Sequence, residues 1–228
     1  MRASSFPEIP KKMFIFSIFT TYILLLAHQA VAAILPPPNE VSISRITSSG
    51  SGCPENERSV SFSTSPDRTV LTAGFDKFHV YLGPGVSPRD RSKECDVRVE
   101  INYPRGYTFS VVETTYHGFA TFDNTVSAAL NTTYFFPGGD ATRVSSTQTV
   151  VLGSATTGGS IFTRTETIPA NARVRAPCGG GITTLAARTR IALTSSRATA
   201  QEVEFGAFHG EDSPITQQMK LEWEQCNP

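Results

Sequence analysis

Three glutamates are the side chains best suited to acid catalysis in this chain. Glu202 and Glu204 stand two residues apart in QEVEF, and Glu113 follows two adjacent valines. Hydrolysis of a glycosidic bond needs two carboxyl groups about 5 to 9 Å apart across a cleft. Alternate residues of one strand lie roughly 7 Å apart on one face, so this pair permits a secreted carbohydrate-active hydrolase. Solvated strand faces carry such pairs without any catalytic role.

Glu113 can be placed by counting along its segment. In a straight strand, alternate positions counted from Tyr107 put Glu113 on the apolar face. The adjacent Val111 and Val112 favour a bulge that exchanges the faces and turns the acid to solvent. We therefore predict a bulge here and assign no catalytic residue.

Three tyrosines suggest binding instead of catalysis. Tyr81 alternates onto a polar strand face with Lys77, while Tyr103 and Tyr107 flank the Pro-Arg-Gly turn at 104–106. Exposed aromatic rings stack on sugar rings and offer a polar edge to hydroxyl groups. The three tyrosines are the predicted binding surface.

Motifs for metal and nucleophilic chemistry are missing from the sequence. There is no C-x-x-C, no H-x-x-x-H and no G-x-S-x-G. Zinc sites and serine nucleophiles depend on such spacings, so we predict no metal and no cofactor. His117 and His209 each precede a glycine, a pattern that fits exposed or turn histidines as well as a functional pair.

The segments that carry these residues have a hydrophobic pattern that repeats every two residues, which is typical of β-strands. Apolar and polar residues alternate, and glycine and proline turns separate the segments. Such segments are half-buried antiparallel strands. The clearest examples are residues 75–82, 95–102, 183–194 and 218–224. We predict an all-β fold, an antiparallel β-sandwich or jelly-roll-like fold of about eight to twelve strands. Only residues 197–204 leave room for a short helical turn.

Four cysteines, Cys53, Cys95, Cys178 and Cys226, allow three pairings. Proximity along the chain favours Cys53 with Cys95 and Cys178 with Cys226. Loop energetics does not choose among pairings, because doubling a loop adds only about 0.6 kcal/mol. We expect two disulfides, which require an oxidising compartment.

The N-terminus has the features of a secretory signal. Lys11 and Lys12 precede the apolar run at 13–27, which ends in Ala-Val-Ala at 30–32. The run is shorter than the roughly 20 residues that span a bilayer. We predict a signal peptide at 1–32, a proline-rich extended lead-in at 33–40 and one β-sandwich domain at 41–228. After cleavage the protein has no membrane segment.

The net charge bears on possible binding partners, and one sequon predicts a glycosylation site. Removal of residues 1–32 leaves 17 basic and 19 acidic side chains. This balance gives no electrostatic reason to bind nucleic acid. Asn131 begins the sequon Asn-Thr-Thr, and alternation turns it away from Leu130 and Thr132, so we predict a glycan at Asn131.

Several motifs together resemble one known family. They are GSGCP at 50–54, FDKF at 75–78, INYPRGYTF at 101–109, YHGFA at 116–120, CGGG at 178–181 and the terminal Trp223 with Cys226. This set resembles the secreted family called domain of unknown function 4360, over nearly all of residues 41–228. The resemblance implies secretion and disulfide bridging, and it supplies no catalytic residues.

Two functions follow as hypotheses. The first is a non-catalytic extracellular module that binds cell-wall polysaccharide or another extracellular surface. The alternative is the secreted hydrolase with paired carboxylates. A cleft holding two of the glutamates would favour the enzyme, and an open sheet face with exposed aromatic rings would favour the binding module.

Overall fold

The computed structural model describes residues 35–121, 125–138, 144–152, 160–196, 203–206 and 215–227. Twelve strands and no α-helix lie within these ranges. The strands are β1 (Ser42–Ser49), β2 (Val60–Thr64), β3 (Val70–Phe75), β4 (Val80–Leu82), β5 (Ser92–Tyr103), β6 (Tyr107–Thr121), β7 (Val126–Phe135), β8 (Ser145–Leu152), β9 (Ser160–Thr167), β10 (Gly181–Ser195), β11 (Val203–Gly206) and β12 (Ile215–Gln225).

The strands form two antiparallel sheets. Sheet A has the order β1-β5-β10-β7-β8. Sheet B has the order β2-β3-β12-β6-β11-β4, with β9 on the other side of β6. The Pro-Arg-Gly turn at 104–106 joins β5 of sheet A to β6 of sheet B, so it connects the two layers. The predicted all-β fold is confirmed.

Alternation explains which side chains enter the core. In β5, Val97, Val99 and Ile101 are buried, while the intervening Arg98 is exposed. The predicted strand at 75–82 is wrong in part, because β3 ends at Phe75 and β4 begins only at Val80. The turn between them lets Phe78 enter the core. A Cβ at Gly52 would lie only 2.3 Å from the Phe78 ring, so this approach requires glycine.

The predicted bulge in β6 is present. Leu221 of β12 pairs with Val111, and the preceding Lys220 pairs with Glu113, so Val112 is the extra residue. The bulge exchanges the two faces of β6. Side chains at 109 and 111 point inward before it, and Thr114 and Tyr116 point inward after it. Glu113 is therefore turned to the outer face and is half-exposed.

A buried polar network joins the two sheets at the centre of the sandwich. Gln217 of sheet B donates to the Tyr134 hydroxyl of sheet A at 2.9 Å and accepts from Thr189 at 3.1 Å. The Tyr134 hydroxyl also lies 2.5 Å from that of Thr114, and Tyr116 bonds to Thr132. Buried polar groups cost free energy unless they are paired, and these groups satisfy one another. Burial raises the pKa of Tyr116 and raises that of Tyr134 well above its usual value.

Two disulfides tie loops to the sheets. Cys53 pairs with Cys95 and Cys178 with Cys226, with Cα separations of 5.4 and 5.9 Å. The first bond is fully buried and the second is half-exposed. The pairing that chain proximity favours is the one present.

The lead-in and the region after β10 differ in part from expectation. The lead-in is not extended throughout, because Pro36 is buried and Pro38–Glu40 form a 3-10 turn. Within 197–204, the segment that left room for a helical turn, Val203 already belongs to β11. Residues 197–202 and the predicted signal peptide lie outside the described ranges. In the ranges given above, no helix has the length and apolar character to cross a membrane.

Candidate binding face

Tyr103 does not belong to a binding surface. It is 2 % exposed and packs against Phe109 and Trp223, with ring centroids 5.4 and 5.9 Å away. Its hydroxyl donates to the Pro177 carbonyl at 2.5 Å. The reason lies in the alternation of β5, which puts position 103 on the same inward face as Ile101.

Tyr81 and Tyr107 are at opposite ends of sheet B. Tyr81 pairs through Glu204 with Thr121, the last residue of β6, while Tyr107 is its first residue. Fourteen residues of strand span about 46 Å, so one ligand ring cannot contact both tyrosines. Tyr107 packs half-buried against the core. Of the three predicted tyrosines, Tyr81 alone lies on an outer sheet face between buried neighbours.

The glutamates do not assemble into a catalytic pair around Glu113. Glu113 is opposite Lys220 on one side and Thr167 on the other. The backbone of Glu204 pairs with Thr121, eight residues further along β6, which corresponds to about 26 Å. That separation is well beyond the reach of a glycosidase pair. Glu202 lies outside the described residues.

The outer face of sheet B carries an apolar row at the β4 end. Phe119 of β6 pairs with Ile161 of β9 and with Gly206 of β11. Phe119 is half-exposed and Ile161 is 83 % exposed. Gly206 brings no side chain to the position beside Phe119. We call Gly206, Phe119 and Ile161 the apolar row.

Tyr81 extends this row diagonally. It lies two strands from β6, in register with the residue two positions beyond Phe119. Neighbouring strands are about 4.8 Å apart and each residue rises about 3.3 Å, so the Cα atoms of Tyr81 and Phe119 are about 12 Å apart. The His79 ring stacks on Tyr81 at a centroid distance of 6.5 Å. Tyr81 and Phe119 thus place two aromatic rings on the outer face of sheet B.

A polar row runs beside the apolar row. His117 of β6 pairs with Thr163 of β9 and with Thr216 of β12. The His117 Nδ1 atom and the Thr163 hydroxyl are 2.9 Å apart, within hydrogen-bond distance. Two residues along β6 separate this polar row from the apolar row, a distance of about 7 Å. Hydroxyl, imidazole and aromatic groups thus lie side by side on the face.

The local sequence explains why these side chains face outward together. The bulge at Val112 sets the phase of β6, so positions 113, 115, 117 and 119 share the outer face. Between them Gly118 faces inward, where a Cβ would lie 2.8 Å from the Phe162 ring. At the same place the neighbour of β6 changes from β12 to β11. The apolar and polar rows therefore meet where two strand ends adjoin.

The outer face of sheet A has a different chemistry. Arg188 donates to Asp96 at 2.8 Å, and Arg98 lies 3.2 Å from the same carboxylate. The Arg188 guanidinium also lies over the Phe135 ring, 5.6 Å from its centroid. Asp96 thus forms ion pairs with both arginines on this face. Asn131 is half-exposed on the same face, with buried neighbours on either side as alternation predicts.

Metal chemistry has no site among the described residues. In those ranges, no three His, Cys, Asp or Glu side chains come together to hold an ion. His209 lies outside them. The described arrangement offers stacking surfaces and hydrogen-bonding groups.

Sequence reasoning missed Phe119 and Ile161. The signal for Phe119 was available, because counting onward from Glu113 after the bulge reaches positions 117 and 119 on the outer face. No comparable signal identified Ile161 as its neighbour. That neighbourhood depends on the register of β6 with β9, a pairing between segments distant in sequence.

The fold and the two bonded cysteine pairs define a small, disulfide-stapled extracellular β-sandwich protein. The chain belongs to the family described as domain of unknown function (DUF4360), whose model matches residues 39–226. It is 29 % identical over 192 residues to an uncharacterized secreted protein of Arthroderma benhamiae, covering 84 % of this chain and 74 % of that one. The predicted family and the predicted secretion are confirmed.

Two solved structures show a low similarity to this chain. One is TmCBM61 in complex with β-1,4-galactotriose, with TM-score 0.25, 10 % identity, and coverage of 80 % of this chain and 90 % of that one. Another is a CBM4 structure, with TM-score 0.20, 14 % identity and coverage of 80 % and 88 %.

Proposed function

We propose that this protein is a non-catalytic extracellular module that binds carbohydrate through the outer face of sheet B. The observation that carries the proposal is the register of Phe119 and the 83 % exposed Ile161 beside a row of hydroxyl and imidazole groups. Sugar rings have apolar faces and polar edges, so a site of this kind can bind both.

The proposal gives each group a role. Tyr81 and Phe119 stack on the apolar faces of sugar rings. His117, Thr163 and Thr216 exchange hydrogen bonds with sugar hydroxyls. The ligand is wall polysaccharide or another glycan-bearing extracellular surface. Glu113 and Glu204 give the hydrolase hypothesis no support, because they are about 26 Å apart along β6, and Glu202 lies outside the described residues.

A retention assay tests this function. The purified protein is incubated with insoluble wall polysaccharides, namely cellulose, xylan, mannan, β-1,3-glucan and chitin, and both the bound protein and released reducing ends are measured. We expect retention on at least one polymer without release. Phe119→Ala should lose this retention and Phe135→Ala, the half-exposed aromatic on the opposite sheet, should keep it. Release of reducing ends would support the hydrolase instead.

We also infer that residues 1–32 are removed on secretion, that residues 41–228 form one domain, and that Asn131 carries a glycan. Asn131 lies on the outer face of sheet A, so its glycan would leave the proposed binding face open. N-terminal sequencing of the secreted protein tests the cleavage. A mass shift on endoglycosidase treatment, lost in Asn131→Gln, tests the glycan, and an unshifted mass would disprove it.

A further inference from the structure

A glycan chain on sheet B could lie along β6 or across the strands. The arrangement of the apolar side chains distinguishes between these two directions. A chain running along β6 would meet Phe119 and then only polar groups at 117 and 115. A chain crossing the strands would pass Tyr81 of β4, Gly206 of β11, Phe119 of β6 and Ile161 of β9. Only the crossing direction uses every stacking group.

The crossing path has a definite length. Three inter-strand steps from β4 to β9, with an offset of two residues along the strands, span about 16 Å. That length fits a few linked sugar rings. Gly206 of β11, which pairs with Phe119, adds no side chain of its own to this path.

Along this path the polar row is always on the same side. The His117–Thr163 pair lies two residues from the Phe119–Ile161 pair along β6 and β9, on the same face. A sugar ring stacked on Phe119 would therefore turn one hydroxyl-bearing edge to His117. The His117 Nδ1 atom and the Thr163 hydroxyl lie 2.9 Å apart, within hydrogen-bond distance. Because of this bond, the position of the imidazole is fixed before the ligand arrives.

The apolar and polar rows have no cationic side chain that would bind an anionic glycan. The described side chains of the apolar and polar rows include no lysine, arginine, aspartate or glutamate. Glu204 stands in register beside Tyr81, and Glu113 lies four residues from His117 along β6, opposite Lys220. Acidic glycans are recognised by arginine and lysine clusters, which these rows do not have.

We propose, resting on the function proposed above, that the face takes a short stretch of a neutral glycan running across the strands from β4 to β9, and that His117 and Thr163 are its specificity-determining residues. The glycan lies over the apolar row, and the side chains of the polar row form hydrogen bonds with the hydroxyl groups on one edge of the glycan.

Calorimetric titration tests this inference. The probes are cello-, xylo-, manno-, laminari- and chito-oligosaccharides of two to six residues, with oligogalacturonides of the same lengths as acidic probes. We expect affinity for one neutral series to rise from the disaccharide to the tetrasaccharide and then stay level. Oligogalacturonides should bind at least tenfold more weakly.

Variants separate specificity from folding. His117→Ala should weaken binding roughly fivefold, the effect of one lost hydrogen bond, and should change the ranking among the neutral series. Thr163→Val keeps the shape of the side chain and should change the same ranking. Gln148→Ala, an exposed polar residue on sheet A, is the matched control and should change neither. Unchanged thermal unfolding in each variant shows that the fold is kept.

The outcomes distinguish the two proposals. If the wild-type protein binds no saccharide, both fail. If Phe119→Ala abolishes binding but oligogalacturonides bind equally well, or affinity keeps rising to the hexasaccharide, or His117→Ala and Thr163→Val leave the ranking unchanged, the binding function stands and this inference is overturned.

Discussion

Gln217 shows how a single buried polar residue can hold two sheets together. It is 1 % exposed, and its amide bonds to Tyr134 and Thr189 of the opposite sheet. We expect Gln217→Leu to lower the free energy of unfolding by about 1–3 kcal/mol, because both partners lose a bond inside the core. Urea unfolding measures the change. Gln218→Leu, on the exposed side of the same strand, should change stability little, and equal effects of the two substitutions would refute the role.

Tyr116 and Tyr134 make stability depend on alkaline pH. Burial raises their pKa values above the usual 10.0 in the folded state. Below about pH 10 both the folded and unfolded chains keep these protons, and above it only the unfolded chain releases them. Stability should therefore be level up to about pH 10 and fall above it, by up to about 1.4 kcal/mol per pH unit for each phenol.

Unfolding in urea between pH 8 and pH 11 measures this slope. Tyr134→Phe should make the fall less steep. An equal slope in wild-type protein and Tyr134→Phe would contradict the assignment.

At the scale of elements, the bulge in β6 decides which side chains reach the binding face. Deletion of Val112 would shift one half of the strand by one residue and exchange its inner and outer faces. We expect the deletion variant not to fold. Val112→Ala keeps the bulge and should cost about 1–3 kcal/mol for the lost side chain. The folding of the two variants is compared by circular dichroism and by their secretion yield. A deletion variant as stable as Val112→Ala would show that the bulge is dispensable.

The two disulfides should differ in their reaction with a reductant. Cys53 and Cys95 are fully buried, whereas Cys178 and Cys226 are half-exposed at the end of β12. Because exchange requires a thiolate to reach a sulfur atom, mild reductant should open Cys178–Cys226 first in the folded protein. Differential alkylation and mass spectrometry identify the free thiols. Simultaneous release of all four would mean that reduction proceeds through global unfolding.

The alternation of apolar and polar residues along single strands allowed much of the fold to be predicted. The predictions that failed also concern single positions in the chain. The pattern in β5 gave the inner face, and the paired valines gave the bulge. The same pattern places Tyr103 inward, yet its position beside a turn suggested exposure. The break between Phe75 and Val80 was missed, because Phe78 keeps the alternating pattern through a turn.

At the scale of the whole molecule, the binding face depends on contacts between distant segments. Tyr81 and Ile161 come together with Phe119 only through the pairing of β4, β11, β6 and β9. Local pattern gives the face on which each side chain lies but not its neighbour across the sheet. For this reason the sequence suggested one surface of three tyrosines, although Tyr81 and Tyr107 are about 46 Å apart along sheet B and Tyr103 lies in the core.

The two outer faces of the sandwich give the molecule two distinct sides. Sheet A presents ion pairs around Asp96 and Arg188 together with Asn131. Sheet B presents aromatic, hydroxyl and imidazole groups. A glycan on Asn131 and a carbohydrate bound on sheet B would therefore occupy opposite sides of the protein.

Amide chemical-shift mapping by NMR tests the central claim most directly. Isotope-labelled protein is titrated with the hexasaccharide of each neutral series. We predict shifts confined to β4, β9, β11, residues 115–121 of β6 and the neighbourhood of Thr216 in β12. Shifts centred on Arg188 and Phe135 of sheet A, or no shifts with any of these saccharides, would contradict the account.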